Sequence, residues 1–168
     1  GIATACIDEL GAARWSFHSD SPVPDERFAN ALHIDPAHPD HWLVGTEAGV
    51  VVYGSETNKW QASDLANTPV RALLSARGRL WAGTDDRGIL HSDDGLHWTQ
   101  AGSDIEGAVY ALHDTGACLL AATQYGVVTG NGDGPWISTG PRLSTTCITS
   151  DPRSPDTWAV GASPGGLW

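Results

Sequence analysis

Residues 70–98 read VRALLSARGRLWAGTDDRGILHSDDGLHW, and the architecture follows from this segment. It contains short apolar runs at 70–73, 80–84 and 88–90, separated by Gly, Asp and Arg, and it ends at Trp98. Short runs bounded by turn residues are typical of β-strands. No window of the chain shows a sustained 3.6-residue apolar period, so we expect few helices.

The segment is one of four related copies along the chain. Its closing tryptophan recurs every 38 residues, and the threonine that ends its second run recurs at intervals of 38 and 39. The recurring residues are Trp60, Trp98 and Trp136, and Thr46, Thr84 and Thr123. The second run of each copy is apolar at nearly every position, which indicates a strand buried on both faces. Four short strands repeated about every 40 residues predict a β-propeller.

We therefore predict an all-β chain that forms a single β-propeller domain over residues 1–168, with about four blades of four strands. Three blades span 29–61, 69–100 and 108–138. The fourth is composite, made of 145–168 together with 1–17, and Trp15 is its closing tryptophan. A composite blade closed by the N- and C-terminal strands leaves no open sheet edge. The alternative is a larger ring that a second chain completes.

A turn within the second copy carries a family resemblance. Asp93, Gly95 and Trp98 match the Asp-box pattern Asp-x-Gly-x-x-Trp, although His91 replaces its usual Ser or Thr. The run at 80–84 and the Asp-Pro turns at 35–40 and 151–156 are also similar to the family. From about residue 31 to the last residue, the chain resembles propellers with bacterial-neuraminidase-type repeats. These include sialidases, xyloglucan-degrading glycosidases, sortilin-like receptors and photosystem assembly-factor propellers.

The matching residues are expected to stabilise the blade. A short Asp side chain can accept hydrogen bonds from turn N–H groups, and glycine permits a positive φ. We therefore predict that Asp93 and Gly95 fasten the hairpin turn and that Trp98 packs the blade.

The resemblance also implies where a ligand or partner binds. In such propellers the loops between second and third strands share one channel rim with the links between blades. Binding sites favour such mouths, where a few polar groups converge. The predicted loop residues are Glu47, Asp85, Asp86, Arg87, Gln124 and Tyr125. The links add Asp20, Asp25, Glu26, Arg27, Asp64, Asp104, Glu106 and Arg142.

Composition excludes several classes of function. The chain has 168 residues and a formal net charge of −11, which disfavours nucleic-acid binding. Its apolar runs are far shorter than the roughly 20 residues of a membrane helix. It has no Gly-rich phosphate loop, Gly-x-Ser-x-Gly elbow or Cys-x-x-Cys pair, so we predict no cofactor. The absence of methionine suggests a processed N-terminus and a periplasmic or extracellular location.

Three histidines form the weak candidate for a metal site. His33, His38 and His41 lie within nine residues, and imidazoles are good ligands for zinc and copper. Their spacing fits no established motif, so we predict no metal.

The remaining tryptophans and the cysteines are assigned structural roles. We expect the tryptophans of the second strands to be buried between blades: Trp42, Trp81 and Trp158. The three cysteines are Cys6, Cys118 and Cys147, an odd number that favours buried free thiols. A Cys6–Cys147 disulfide across the composite blade is the alternative.

Two main functions fit these patterns. The first is a non-catalytic, protein-binding or complex-accessory propeller that acts through its rim loops. The alternative is a carbohydrate-active protein, a lectin or a glycosidase, in which Glu47 and Asp85 supply the carboxyl pair that glycoside hydrolysis requires. A sialidase would need an arginine cluster to bind its substrate's carboxylate, and the predicted rim lacks one. A subunit that only completes another chain's ring is a third interpretation.

Overall fold

The computed structural model describes residues 2–9, 11–18, 29–101, 105–163 and 166–167, and these residues form strands and turns with no helix. Accordingly, the described part of the chain offers no helix that could cross a membrane. The strands are β1 (Ile2–Ile7), β2 (Ala13–His18), β3 (Ala29–Ile34), β4 (His41–Thr46), β5 (Gly49–Gly54), β6 (Lys59–Ala62), β7 (Val70–Ala76), β8 (Arg79–Thr84), β9 (Ile89–Ser92), β10 (Thr99–Gln100), β11 (Val109–Asp114), β12 (Leu119–Thr123), β13 (Gly126–Gly130), β14 (Ile137–Thr139), β15 (Thr145–Asp151), β16 (Ser154–Ala162) and β17 (Gly166–Leu167).

Consecutive strands pair in antiparallel order within each sheet. Three sheets have four strands each, and we call them blade 1 (β3–β6), blade 2 (β7–β10) and blade 3 (β11–β14). The sheet β15–β17, called blade 4, has three strands in the described residues, and β1 and β2 form a separate hairpin. Within the described residues the hairpin does not pair with blade 4, so the composite blade stays a prediction.

The sheets stack one on the next through their first strands. β3 packs on β7, β7 on β11 and β11 on β15, and each second strand also contacts the first strand of the following blade. Antiparallel four-stranded sheets stacked through their inner strands form a β-propeller. The predicted all-β propeller class is therefore confirmed.

The core lies between successive blades. Leu43, Val50 and Val52 of blade 1 pack against Leu80 and Leu90 of blade 2, all almost fully buried. A second cluster joins blade 2 to blade 3. The apolar second strands are buried as predicted over 43–46, 80–84 and 119–123.

Two glycines allow the inner strands to approach closely. A Cβ atom at Gly45 would lie 2.8 Å from Val70 Cγ1, and one at Gly83 would lie 2.7 Å from Val109 Cγ1. Both distances are well inside the usual carbon–carbon contact of about 3.5–4.0 Å. Glycine at these positions therefore sets the spacing between blades.

The recurring threonine closes the loop between the second and third strands. The hydroxyl of Thr84 donates to the Gly88 carbonyl at 2.8 Å and accepts the Arg87 N–H at 3.0 Å. Thr46 and Thr123 make the corresponding bonds in their own blades. This shared role gives a physical reason for the spacing seen in the sequence.

Several burial predictions need correction. Trp81, Trp98 and Trp136 are buried, whereas Trp15 is 60% exposed. Within the described residues, the hairpin that carries Trp15 packs less extensively on any blade than the blades pack on one another. Three more of the described tryptophans are half-buried: Trp42, Trp60 and Trp158.

The cysteine prediction is confirmed in its bonding but not in its burial. Cys6, Cys118 and Cys147 are free thiols, but Cys6 and Cys147 are exposed and Cys118 is intermediate. Cys147 is exposed because it lies on the side of blade 4 that faces away from blade 3.

Candidate functional site

The first strand of every blade contains the same irregularity. The register shifts at Asn30, Arg71, Tyr110 and Thr146, which lie one residue into β3, β7, β11 and β15. Such a β-bulge leaves one residue outside the ladder and redirects its side chain. The fold thus places one polar or aromatic residue per blade at the same level of the inner strands, next to the loops that the recurring threonines close.

Arg71 joins two of the predicted carboxylates. Its Nε and Nη2 donate to the two oxygens of Asp85 at 2.8 and 2.6 Å. Its Nη1 and Nη2 donate to Glu47 at 2.7 and 3.4 Å. Glu47 also accepts a hydrogen bond from Asn30 Nδ2 at 3.1 Å. The carboxylates of neighbouring blades therefore meet as predicted, but a guanidinium lies between them.

This cluster is partly open to solvent. The side chains of Arg71, Glu47 and Asp85 are 30%, 37% and 30% exposed. Hydrogen bonding to Asp85, followed by attraction to both carboxylates, raises the pKa of the Arg71 guanidinium above its ordinary value, although burial opposes this. The cluster is therefore an ion-pair network in which about a third of each side chain is accessible to solvent.

Main-chain hydrogen bonds hold the loops and links together at this rim. The N–H groups of Asp85, Gln124 and Ser163 each donate to the carbonyl of the residue directly before the first strand of the same blade. The bonds to Pro69, Ala108 and Ser144 measure 3.0, 2.9 and 2.8 Å. In blades 2, 3 and 4, each of these bonds joins the segment after the second strand to the link that precedes the first strand.

The other predicted loop residues lie in these loops. Asp86, Arg87 and Gln124 are exposed, and the Tyr125 side chain is 50% exposed. Gln124 and Tyr125 lie close to Gly107, where a Cβ atom would come within 2.8 Å of both side chains.

The predicted link residues divide into three groups. Glu106 and Arg142 are exposed. Asp64 lies elsewhere, because its Oδ1 accepts the Trp98 N–H at 3.1 Å beside the outer strand of blade 2. The remaining link residues fall outside the described part of the chain: Asp20, Asp25, Glu26, Arg27 and Asp104.

Sequence reasoning missed Arg71 and Asn30 as members of the site. The available signal was a polar residue at the second position of an otherwise apolar first strand, repeated in register with Tyr110 and Thr146. A bulge is not visible in a period-two pattern, so this position reads as part of an ordinary strand.

The turn at 92–98 is fastened by a different aspartate from the one predicted. Asp94 Oδ1 accepts the N–H groups of Leu96 and His97, both at 2.8 Å, and its Oδ2 lies 2.7 Å from His97 Nδ1. Burial alone would raise the pKa of Asp94, but these hydrogen bonds outweigh it and hold the pKa well below its usual range. Asp93 is 80% exposed and lies 3.4 Å from Arg79 Nε.

The other two residues of the turn act as expected. Gly95 has a φ of +76°. Trp98 is buried, and its indole N–H donates to the Gly95 carbonyl at 2.9 Å.

A cleft of about 260 Å³ lies at the opposite ends of the strands, between blades 1 and 2. Its lining includes Asp35, His38, Arg77 and Arg79. Burial raises the pKa of Asp35, but hydrogen bonds from His38, Ala37 and Ser75 outweigh it and leave the pKa below normal. These charges are internally paired: His38 lies 2.9 Å from Asp35, and Arg79 lies 2.7 Å from Asp133.

The three histidines are not brought together. His33 Nε2 lies 2.7 Å from Ser75 Oγ across the interface between blades 1 and 2. His38 and His41 stack with ring centroids 5.8 Å apart. Among the described residues no group of three or more His, Cys, Asp or Glu side chains has the arrangement of a metal site.

The contact of His33 with Ser75 has a structural counterpart. His113 Nε2 lies 2.8 Å from Ser150 Oγ at the interface between blades 3 and 4. Because the same pair recurs at two interfaces, we assign it to fastening blades together.

Comparisons with known proteins support the fold. No protein-family model matches the chain, and no curated protein matches it. The chain is similar to the extracellular domain of the putative hybrid two component system BT4673 from B. thetaiotaomicron, with a TM-score of 0.71 and 17% identity over 95% of this chain and 23% of that one.

Two computationally designed proteins are also similar. The Ika4 protein matches with a TM-score of 0.66 and 15% identity over 86% of this chain and 91% of that one. The Ika8 protein matches with a TM-score of 0.65 and 16% identity over 94% of this chain and 48% of that one. At these identities the likeness establishes the fold.

Proposed function

We propose that this chain is a non-catalytic binding propeller that contacts a protein partner, or a larger complex, through its channel rim. The observation that carries the proposal is the bridge from Arg71 to Glu47 and Asp85. This bridge fixes three charged groups from two neighbouring blades in one arrangement, next to the exposed loop residues Asp86 and Arg87. A preformed surface of this kind loses little side-chain entropy on binding.

The same bridge argues against glycoside hydrolysis at these carboxylates. A glycosidase needs one carboxyl group that is protonated and can act as a general acid. Glu47 and Asp85 each accept two hydrogen bonds from a guanidinium, which is the contact of an ionised carboxylate.

The partner should present both hydrogen-bond donors and acceptors. Predicted rim residues with charges of both signs are exposed: Asp86, Arg87, Glu106 and Arg142. The extracellular location of the BT4673 domain, which shares this fold, supports a periplasmic or extracellular setting. Gly95 and Trp98 of the turn at 92–98 support kinship with the Asp-box propellers, although Asp94 and not the matching Asp93 fastens the turn.

The experiment is a capture assay with paired variants. The immobilised chain is exposed to the extracytoplasmic proteins of its source organism, beside an Asp86→Ala/Tyr125→Ala rim variant and an Asp93→Ala control at the opposite end of the strands. We expect the same partner to bind the wild-type chain and the control but not the rim variant. Absence of a partner, or equal capture by the rim variant, would contradict the proposal.

A glycan ligand is the second candidate, and the exposed ring of Tyr125 favours it. A half-exposed tyrosine next to Gln124 offers a stacking surface beside an amide that can bond sugar hydroxyls. Binding on a glycan array that Tyr125→Ala abolishes and Asp93→Ala preserves would support it. A blank array would dismiss it.

A further inference from the structure

Two of the interfaces between blades 1 to 4 contain a histidine from the inner strand of one blade and a serine from the inner strand of the next. His33 and His113 hold the same register, since each pairs with a leucine of its second strand, and Leu74 occupies that position in blade 2. The imidazoles lie 2.7 and 2.8 Å from the hydroxyls of Ser75 and Ser150. The distances match, but the two imidazoles have opposite roles in hydrogen bonding.

The imidazole of blade 3 accepts a hydrogen bond from the main chain of blade 4. The Ser150 N–H donates to His113 Nε2 at 3.2 Å. Because a backbone N–H can only donate, this nitrogen carries no proton, and the neutral ring holds its proton on Nδ1. The Ser150 hydroxyl, 2.8 Å from the same nitrogen, can either donate or accept. The neutral imidazole is therefore the form that this interface requires.

The imidazole of blade 1 has the reverse role. The Ser75 hydroxyl donates its single proton to Asp35 Oδ1 at 3.2 Å, so its oxygen accepts from His33 Nε2. This nitrogen therefore bears a proton whether the ring is neutral or charged. A second proton would go to Nδ1 and would leave the contact between His33 and Ser75 intact.

One position in the sequence accounts for the difference between the two interfaces. The residue two positions after the histidine is Asp35 in blade 1 and Thr115 in blade 3. Asp35 takes the proton of its serine, whereas the Thr115 hydroxyl donates to the Cys118 carbonyl at 3.1 Å within its own turn. Within the described residues no carboxylate bonds the Ser150 hydroxyl, so His113 is its partner.

The other ionisable side chains on the strands packed around His113 have partners of their own or point away from it. Strand β12 carries none. The charged ones are ion-paired: Arg71 with Asp85, Arg79 with Asp133, Asp114 with Arg77, and Asp151 with Arg153. Tyr110 lies at the rim end of β11, and Cys147 faces away from blade 3. The protonation of His113 itself therefore decides the hydrogen bonding at this contact.

We propose that acid weakens the docking of blade 4 on blade 3, because this docking requires a neutral His113. When His113 gains a proton on Nε2, the Ser150 N–H loses its acceptor and two N–H donors face each other. The Ser150 hydroxyl can turn and accept from the charged ring, so one contact survives and the main-chain contact is lost. Histidine ordinarily takes up this proton at about pH 6.5, so blade 4 loosens as the pH falls through that range. This inference concerns the fold and does not depend on the proposed partner.

The test is NMR on the ¹⁵N-labelled chain of 168 residues, which reports each histidine separately. At neutral pH, long-range ¹H–¹⁵N spectra should place the ring proton of His113 on Nδ1 and that of His33 on Nε2. When the pH is lowered by about two units, the hydrogen-exchange protection of the Ser150 amide should fall about tenfold or more, after correction for the intrinsic pH dependence of exchange. A proton on Nε2 of His113 at neutral pH, or unchanged protection of the Ser150 amide, would overturn the proposal.

His113→Gln separates titration from hydrogen bonding. The glutamine oxygen can accept the Ser150 N–H but does not titrate, so the protection of this amide should no longer change with pH. His33→Gln is the matched control, because burial lowers the pKa of His33 and the negative charge of Asp35 only partly offsets this; here the acid response of the Ser150 amide should persist. A wild-type response in His113→Gln, or its loss in His33→Gln, would contradict the assignment to His113. The tautomer and exchange measurements on the wild-type chain decide the proposal even where a variant does not fold.

Discussion

Replacing Arg71 by methionine should loosen the rim and lower the stability of the chain. Methionine keeps most of the apolar stem but removes the four N–H donors that reach Glu47 and Asp85. The two carboxylates would then face each other without the cation between them. The inner loops of blades 1 and 2 would lose the side-chain bridge that joins them.

The size of the expected loss of stability follows from how exposed the three side chains are. All three side chains are between 30% and 37% exposed, so each ion pair is partly screened and contributes up to about 1 kcal/mol. Two bidentate pairs therefore give about 1–2 kcal/mol in the free energy of unfolding. For a chain of this size, that corresponds to a melting temperature lower by roughly 2–8 °C.

The dependence on salt and pH tests whether the stability difference between Arg71→Met and the wild type is electrostatic. Ionic screening should shrink the difference between variant and wild type as salt rises from 0.05 to about 1 M. The pKa of Arg71 is raised above its usual value, so its contribution is fully present at every pH below the range in which an unfolded arginine titrates. The stability difference should therefore stay constant between about pH 6 and pH 10.

The assay is urea unfolding followed by circular dichroism at each salt concentration, with Arg153→Met as the matched control. Arg153 is 90% exposed and pairs with Asp151 two residues away, so its loss should leave the stability nearly unchanged. The reasoning is refuted if Arg71→Met unfolds like Arg153→Met at every salt concentration.

Two other perturbations test the packing and the turn. Gly83→Ala should lower the free energy of unfolding by about 1–3 kcal/mol, because its Cβ would lie 2.7 Å from Val109 Cγ1. Gly134→Ala is the control: no heavy atom lies within 4 Å of its Cβ, so thermal unfolding should be nearly unchanged. The Asp94–His97 contact should stabilise the chain most between about pH 4 and 6.5. Because the pKa of Asp94 is lowered in the folded chain, the stabilisation from Asp94 falls as the pH drops below about 4. Because the pKa of His97 is raised, the stabilisation from His97 falls as the pH rises above about 6.5. Asp94→Asn should flatten stability across that window, and an unchanged profile in pH-dependent urea unfolding would count against the assignment.

Much of the fold could be predicted from local pattern. The apolar second strands at 43–46, 80–84 and 119–123 are buried because a strand with no polar face must be covered on both sides. The regular spacing of Thr46, Thr84 and Thr123 also reflects a shared structural role, since each hydroxyl closes the loop that follows its strand.

The site was predicted less completely. Glu47 and Asp85 were expected to meet from neighbouring blades, and they do, but Arg71 between them was not anticipated. In the turn, Asp93 and Asp94 are adjacent and chemically identical, so composition could not identify which carboxylate faces the N–H groups. Backbone direction at the turn decides this, and it selects Asp94.

The sequence by itself determined the strand content, the blade repeat and the buried second strands, because each depends on the order of residues within a few positions. Tertiary structure alone decided that a bulge turns Arg71 toward two carboxylates, and that Cys147 and Leu32 are exposed. These features depend on distances between sheets that are far apart in the chain. Local preference fixes how a strand forms, whereas the stacking of blades fixes what each side chain meets.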